Sequence, residues 1–213
     1  EYFEDPTPGI PGMGEVRRGL LAAGVDMPLA TNMCVVRFEQ IPDAVRHEAA
    51  QVILGDHHFW GGLRAVVELG RRRGLHIQIH VAEGRHEGDV IAEKYGMTVP
   101  AYLEWLGMLD CRVVAAHCVW LTEEDIALFA RHEVGVAHCP MSNGKHASGI
   151  APVTDMRAAG IPVGIATDGP SSHDRLDLFE EMRAALRYAR LRSGDAGAMT
   201  PADVLTMTTR EAA

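Results

Sequence analysis

The stretch Arg112-Val-Val-Ala-Ala-His117-Cys-Val-Trp-Leu-Thr122-Glu-Glu-Asp125 holds the fold in miniature. A short apolar run ends on a histidine, and a few residues later a threonine precedes three acids. The first half has the length of a buried strand. The second half is a helix start, with a hydroxyl to cap the open N–H groups and carboxylates against the positive end of the helix dipole. Similar strand-then-helix steps recur along the chain. Strands are expected at 1–3, 27–31, 52–55, 76–81, 112–117, 135–138 and 163–167, with amphipathic helices between them. Such alternation specifies parallel strands joined by helical crossovers, hence an α/β fold of (β/α) TIM-barrel type with seven strand–helix units, hybrid or incomplete. Thr200-Pro201 reads as a further helix start, and Gly24, Gly74, Gly107 and Gly160 as helix stops.

Two αβ steps echo each other: Leu21-Ala-Ala-Gly-Val-Asp-Met-Pro-Leu-Ala-Thr-Asn32 and Arg157-Ala-Ala-Gly-Ile-Pro-Val-Gly-Ile-Ala-Thr-Asp168. Shared barrel geometry explains them without a repeat. They place Asn32 and Asp168 at strand tips, the catalytic face of a barrel.

The 213 residues suffice for one barrel-like domain spanning 1–213, in which 1–70 and 71–213 differ in wording. The net charge of −9 disfavours a nucleic-acid backbone as partner. No apolar run approaches the roughly 20 residues that cross a bilayer. Cys34, Cys111, Cys118 and Cys139 lack Cys-x-x-Cys spacing and read as free thiols in a reducing, cytoplasmic setting. The first residues carry no secretory pattern, and the chain reads as beginning inside a strand, which suggests a fragment.

The polar residues that end apolar strands carry the functional signal: His80 with Glu83, His117, His138 and Asp168. A parallel barrel gathers them at one rim. Imidazole and carboxylate suit zinc (Zn2+) or iron (Fe2+), and carboxylates such as Asp168 and Glu83 could move protons in a hydrolysis. Taken singly, each histidine reads better as a hydrogen-bonded rim residue.

Together, His80-Val-Ala-Glu83, Ala116-His117-Cys-Val-Trp-Leu-Thr-Glu-Glu124, Val136-Ala-His138-Cys-Pro-Met-Ser-Asn143, Lys145-His-Ala-Ser-Gly-Ile-Ala-Pro152, Ala166-Thr-Asp168-Gly and Asp177-Leu-Phe-Glu-Glu-Met-Arg183 resemble the amidohydrolase superfamily. The wording of residues 76–213 is similar to its methylthioadenosine/S-adenosylhomocysteine deaminase branch, close to the triazine chlorohydrolases. That resemblance implies a metal-dependent hydrolase acting on a carbon–nitrogen bond of an N-heterocycle such as an adenosine derivative. It implies His80, His117 and Asp168 as metal ligands, and Glu83, His117 and Asp168 as catalytic residues. Glu83 would pass a proton to the ring nitrogen, Asp168 would take one from the attacking hydroxide, and ammonia would leave. Ser142 and Asn143 would be structural or pocket residues. Gly144 and His146 stand where the family usually has apolar side chains. The family's first-strand His-x-His pair occurs nowhere in this sequence, so the resemblance implies an impaired metal site.

The first seventy residues read differently. Tyr2-Phe-Glu4-Asp-Pro-Thr-Pro-Gly9, Leu29-Ala-Thr-Asn32-Met-Cys34 and Leu54-Gly-Asp56-His-His-Phe-Trp-Gly-Gly62 resemble the enolase superfamily, with glucarate dehydratases nearest. This implies Glu4 and Asn32 as magnesium (Mg2+) ligands and Asp56 as the partner of a catalytic histidine. The chain then reads as a hybrid joined within 63–74. The alternatives are a magnesium-dependent acid-sugar dehydratase fragment or an inactive hybrid. The expected partners are a small-molecule substrate and, in a barrel left open, a second copy of the chain.

Overall fold

The computed structural model describes residues 2–31, 33–53 and 62–212. The chain divides into two compact units, Glu1–Leu69 and Gly70–Ala213.

In the first unit, β1 (Phe3–Glu4), α1 (Ile10–Ala22), β2 (Leu29–Thr31), α2 (Ile41–Arg46) and β3 (Val52–Ile53) follow in order. The strands are parallel in the order β1-β2-β3, with Glu4 opposite Ala30 and Thr31 opposite Ile53. Met13, Leu29, Val35 and Ala44 are core residues, flanked by Val16, Leu20 and Ile41. Gly14 is required in α1: a Cβ there would lie 2.4 Å from the His47 carbonyl oxygen. Asp5 ties the strand tips together, its Oδ1 accepting from the Thr31 hydroxyl at 2.6 Å.

α3 (Leu63–Arg73) precedes the second sheet. Then come β4 (His76–Val81), α4 (Arg85–Tyr95), α5 (Val99–Trp105), β5 (Arg112–His117), α6 (Glu123–Arg131), β6 (Gly135–His138), α7 (Pro140–Lys145), α8 (Val153–Ala158), β7 (Val163–Ile165), α9 (Leu178–Ser193) and α10 (Pro201–Thr209). β4-β5-β6-β7 form a parallel sheet in chain order. Its register sets Val81 beside His117 and His138 beside Ile165, so the histidines gather at the C-terminal end.

A strand is present at each of the seven expected places; β4, β5 and β6 keep the expected bounds, β2 and β7 are shorter, and residues 1, 54 and 55 of the expected first and third strands lie outside the described residues. Thr122 closes a capping box with Asp125 at the start of α6, and Thr200 another with Asp203 at the start of α10. Gly107 and Gly160 adopt φ of 76° and 83°, values that favour glycine. Among the described residues no helix is long and apolar enough to cross a membrane. Apolar side chains on α6, α8 and the strands, Phe129, Met156, Val136 and Val163 among them, are buried, and the four cysteines are free.

Candidate active site

Four loops follow the C-terminal ends of β4 to β7, and each delivers a polar side chain. His117, the last residue of β5, is 2% exposed. Its Nδ1 lies 2.8 Å from Asn143 Oδ1. That hydrogen bond assigns the ring proton to Nδ1 and leaves the Nε2 lone pair available. Nε2 is 3.9 Å from Glu83 Oε2 and 4.0 Å from Asp168 Oδ2, and the His80 ring stacks on His117 with centroids 5.4 Å apart. The structure therefore brings together His80, Glu83, His117 and Asp168. His138 ends β6 and is buried, with no hydrogen-bond partner at Nδ1 among the described residues. Burial, reinforced by His117, lowers its pKa to about 3, so the ring is neutral.

The backbone at these tips is unusual. Ala82, His117, Cys118 and Asp168 have φ of 49°, 69°, 50° and 62°, in the left-handed region although none is glycine. Such residues cost on the order of 1–3 kcal/mol each and concentrate where a site dictates side-chain direction.

Both carboxylates are held by neighbours. Asp168 Oδ2 accepts from the Ser142 hydroxyl at 2.7 Å and Oδ1 from Gly169 N–H at 2.7 Å. Burial works against its charge, but these donors, with His117 and His80, outweigh it and hold the carboxyl below its usual value. Asp168 is thus held ionised. Glu83 Oε1 accepts from the Ser148 hydroxyl at 3.3 Å, and Glu83 N–H donates to Glu87 Oε2 at 3.1 Å. Ser148 is fixed in turn by Trp120, whose indole N–H donates to the Ser148 carbonyl at 2.8 Å while Arg85 lies over its ring. Burial pushes the thiols of Cys118 and Cys139 well up, so both pack as neutral small groups.

Sequence reasoning found His80, Glu83, His117 and Asp168 but left Ser142 and Asn143 as structural or pocket residues. Both act by direct contact, Ser142 on Asp168 and Asn143 on His117. Ser148 and Glu87 were not singled out. Glu181 was also missed, although its position offered a signal: it shares the buried face of α9 with Ala184 and Ala185. Its carboxyl rises to about 7, chiefly from burial and further from the charge of Asp168, against the hydrogen bond from Met141 N–H. Gly144 also has a reason: a Cβ there would lie 2.5 Å from the Tyr188 hydroxyl.

The donor chemistry of His80, His117 and Asp168 suits zinc or iron, but their arrangement is open. Two ligands of one tetrahedral zinc lie about 3.3 Å apart, closer than the spacings measured here. Among the described residues no group of three or more His, Cys, Asp or Glu side chains is placed to hold a metal ion. Of the expected magnesium site, Glu4 ends β1, while Asn32 and Asp56 lie outside the described residues.

A model of the amidohydrolase family matches residues 37–213. The chain belongs to the amidohydrolase family. The match begins upstream of 63–74, so it takes in residues 37–70, part of the segment expected to be enolase-like, and runs across the expected junction. Within the family, the chain is 47% identical to a 5-methylthioadenosine/S-adenosylhomocysteine deaminase of Pelotomaculum thermopropionicum over 147 residues, 69% of this chain and 34% of that protein. An enzyme of the same name from Desulfitobacterium hafniense is 41% identical over 206 residues, 94% of this chain and 47% of that protein. A zinc-bound adenosine deaminase from Xanthomonas campestris superposes with a TM-score of 0.68 at 27% identity, covering 94% of this chain and 41% of that one. This amidohydrolase chain spans a third to a half of the curated relatives it matches.

Proposed function

We propose that this amidohydrolase acts as a hydrolytic deaminase on an amino-bearing N-heterocycle, with an adenosine derivative as substrate class. The observation that carries the reading is the convergence of Glu83 and Asp168 on the Nε2 side of His117, at 3.9 and 4.0 Å. The relatives named above for adenosine-type deamination support the substrate class. Water adds to the ring carbon that bears the amine, the carbon–nitrogen bond breaks, and ammonia departs. Asp168, held ionised, accepts the proton from water. Glu83, steadied by Ser148, passes a proton to the ring nitrogen, Asp168 hands the proton taken from water to the departing amine, and the proton of the added hydroxyl returns to Glu83 as the carbonyl forms. Asn143 keeps the His117 lone pair turned toward the reacting atoms.

In the same proposal, His80, His117 and Asp168 are the donors for a zinc or iron ion. The test is elemental analysis of the dialysed chain together with ammonia release from adenosine and 5-methylthioadenosine. About one zinc or iron per chain with measurable release supports the reading. Bound metal without release from either nucleoside defeats the substrate class.

A further inference from the structure

We propose that Glu181, paired with His173, is the positioning residue that aligns the segment carrying Ser142 and Asn143 with the loop carrying Asp168. Glu181 projects from α9 and is fully buried, and His173 is 2% exposed. One carboxylate oxygen, Oε2, accepts from Met141 N–H at 2.9 Å. Met141 stands immediately before Ser142 and Asn143 in α7, the residues that hold Asp168 and His117. The other oxygen, Oε1, faces His173 Nε2 at 3.3 Å without the alignment of a full hydrogen bond.

His173 belongs to the segment between Asp168 and α9, and its orientation is set locally. Its Nδ1 accepts from the backbone N–H groups of Arg175 and Leu176, at 3.2 and 2.9 Å. Two donors at Nδ1 require the ring proton to reside on Nε2, the nitrogen that lies 3.3 Å from Glu181 Oε1. The carboxylate thus reaches the loop after β6 with one oxygen and the loop after β7 with the other. A buried acid is costly unless partnered, so its retention on an otherwise alanine-lined helix face calls for such a task. Among the described residues, no hydrogen bond or ion pair joins Glu181 to His117 or Asp168. It acts through Met141, Ser142 and Asn143 on one side and His173 on the other.

The kinetic arm of the test rests on the deaminase reading; the spectroscopic arm does not. The full chain, labelled with 15N-histidine, is examined metal-free by long-range proton–nitrogen correlation, with the His117 signals assigned through H117Q. Wild type and E181Q, whose amide oxygen can still accept from Met141 N–H, are expected to share one His117 tautomer protonated at Nδ1. E181A is expected to give a tautomer mixture, with kcat lowered about 10- to 100-fold at little changed KM. If E181A does not fold, E181D decides, because it keeps the charge but withdraws the acceptor by one methylene. A cooperatively folded E181A or E181D with the wild-type His117 tautomer would overturn the proposal, even if its melting temperature fell. If wild type releases no ammonia, the deaminase reading fails, while the tautomer comparison still decides this one.

Discussion

The two ends of the β4–β7 sheet use similar residue types to opposite effect. At the N-terminal end of β7, Arg157 bonds Glu211 at 3.0 Å and Asp203 at 3.2 Å, and Glu211 also accepts from Val163 N–H at 3.4 Å. A cleft of about 780 Å3 opens there, but the carboxylate that lines it, Glu211, already has a cation in Arg157. At the C-terminal end, Glu83 and Asp168 face an imidazole at 3.9–4.0 Å with no guanidinium between them. Charge satisfied in place supports stability, whereas charge held in position without a cationic partner is available to a ligand. The chemistry of a side chain does not distinguish these uses; its end of the sheet does.

The contrast breaks most readily at Asp168. D168N is expected to lower deamination about 10³-fold with folding retained, measured as kcat for an adenosine-type substrate; an effect under tenfold would remove Asp168 from proton transfer. N143A, which frees the His117 ring, is expected to cost about 10- to 100-fold in the same assay, without loss of secondary structure by circular dichroism. At the opposite end, R157A is expected to cost about 2 kcal/mol in urea unfolding, because two carboxylates lose their donor, with turnover per folded chain unchanged. A loss of turnover there would show that the two ends are coupled.

The pH dependence sharpens the same comparison. Between about pH 4.5 and about 7 the folded chain keeps a proton on Glu181 that the unfolded chain has released. Its contribution to stability therefore falls as pH rises through that window, and E181Q should flatten the slope in pH-resolved denaturation. Asp168 has the opposite sign. Its stabilising contribution is present above about pH 3.8 and is lost as pH falls through its depressed value. The smallest expected effect is T122A, at about 1 kcal/mol from loss of the α6 cap, measured by thermal unfolding with activity unaffected. Sedimentation tests the expectation of self-association, and a single monomeric species would refute it.

Much of this was legible in one dimension. Strand and helix periods, Thr122 and Thr200 as caps, and glycines at helix ends are local consequences of backbone sterics and hydrogen bonding, so they can be read from neighbouring residues. His80, Glu83, His117 and Asp168 were also legible, because a polar residue ending an apolar strand conflicts with burial unless it serves a rim. The roles of Ser142, Asn143, Ser148 and Glu181 were not. Each acts on a partner far along the chain: Ser148 holds Glu83, and Glu181 holds Met141.

Sequence alone therefore determined the parallel α/β character and the identities of the residues at the rim, since both follow from short-range pattern. Only the tertiary structure decided which ring nitrogen of His117 is free, which carboxylate is held ionised, and that the donors of a metal site stand near one another without closing. Those properties depend on distances of a few ångströms between loops that meet only once the sheet has formed, and on the burial that the meeting creates.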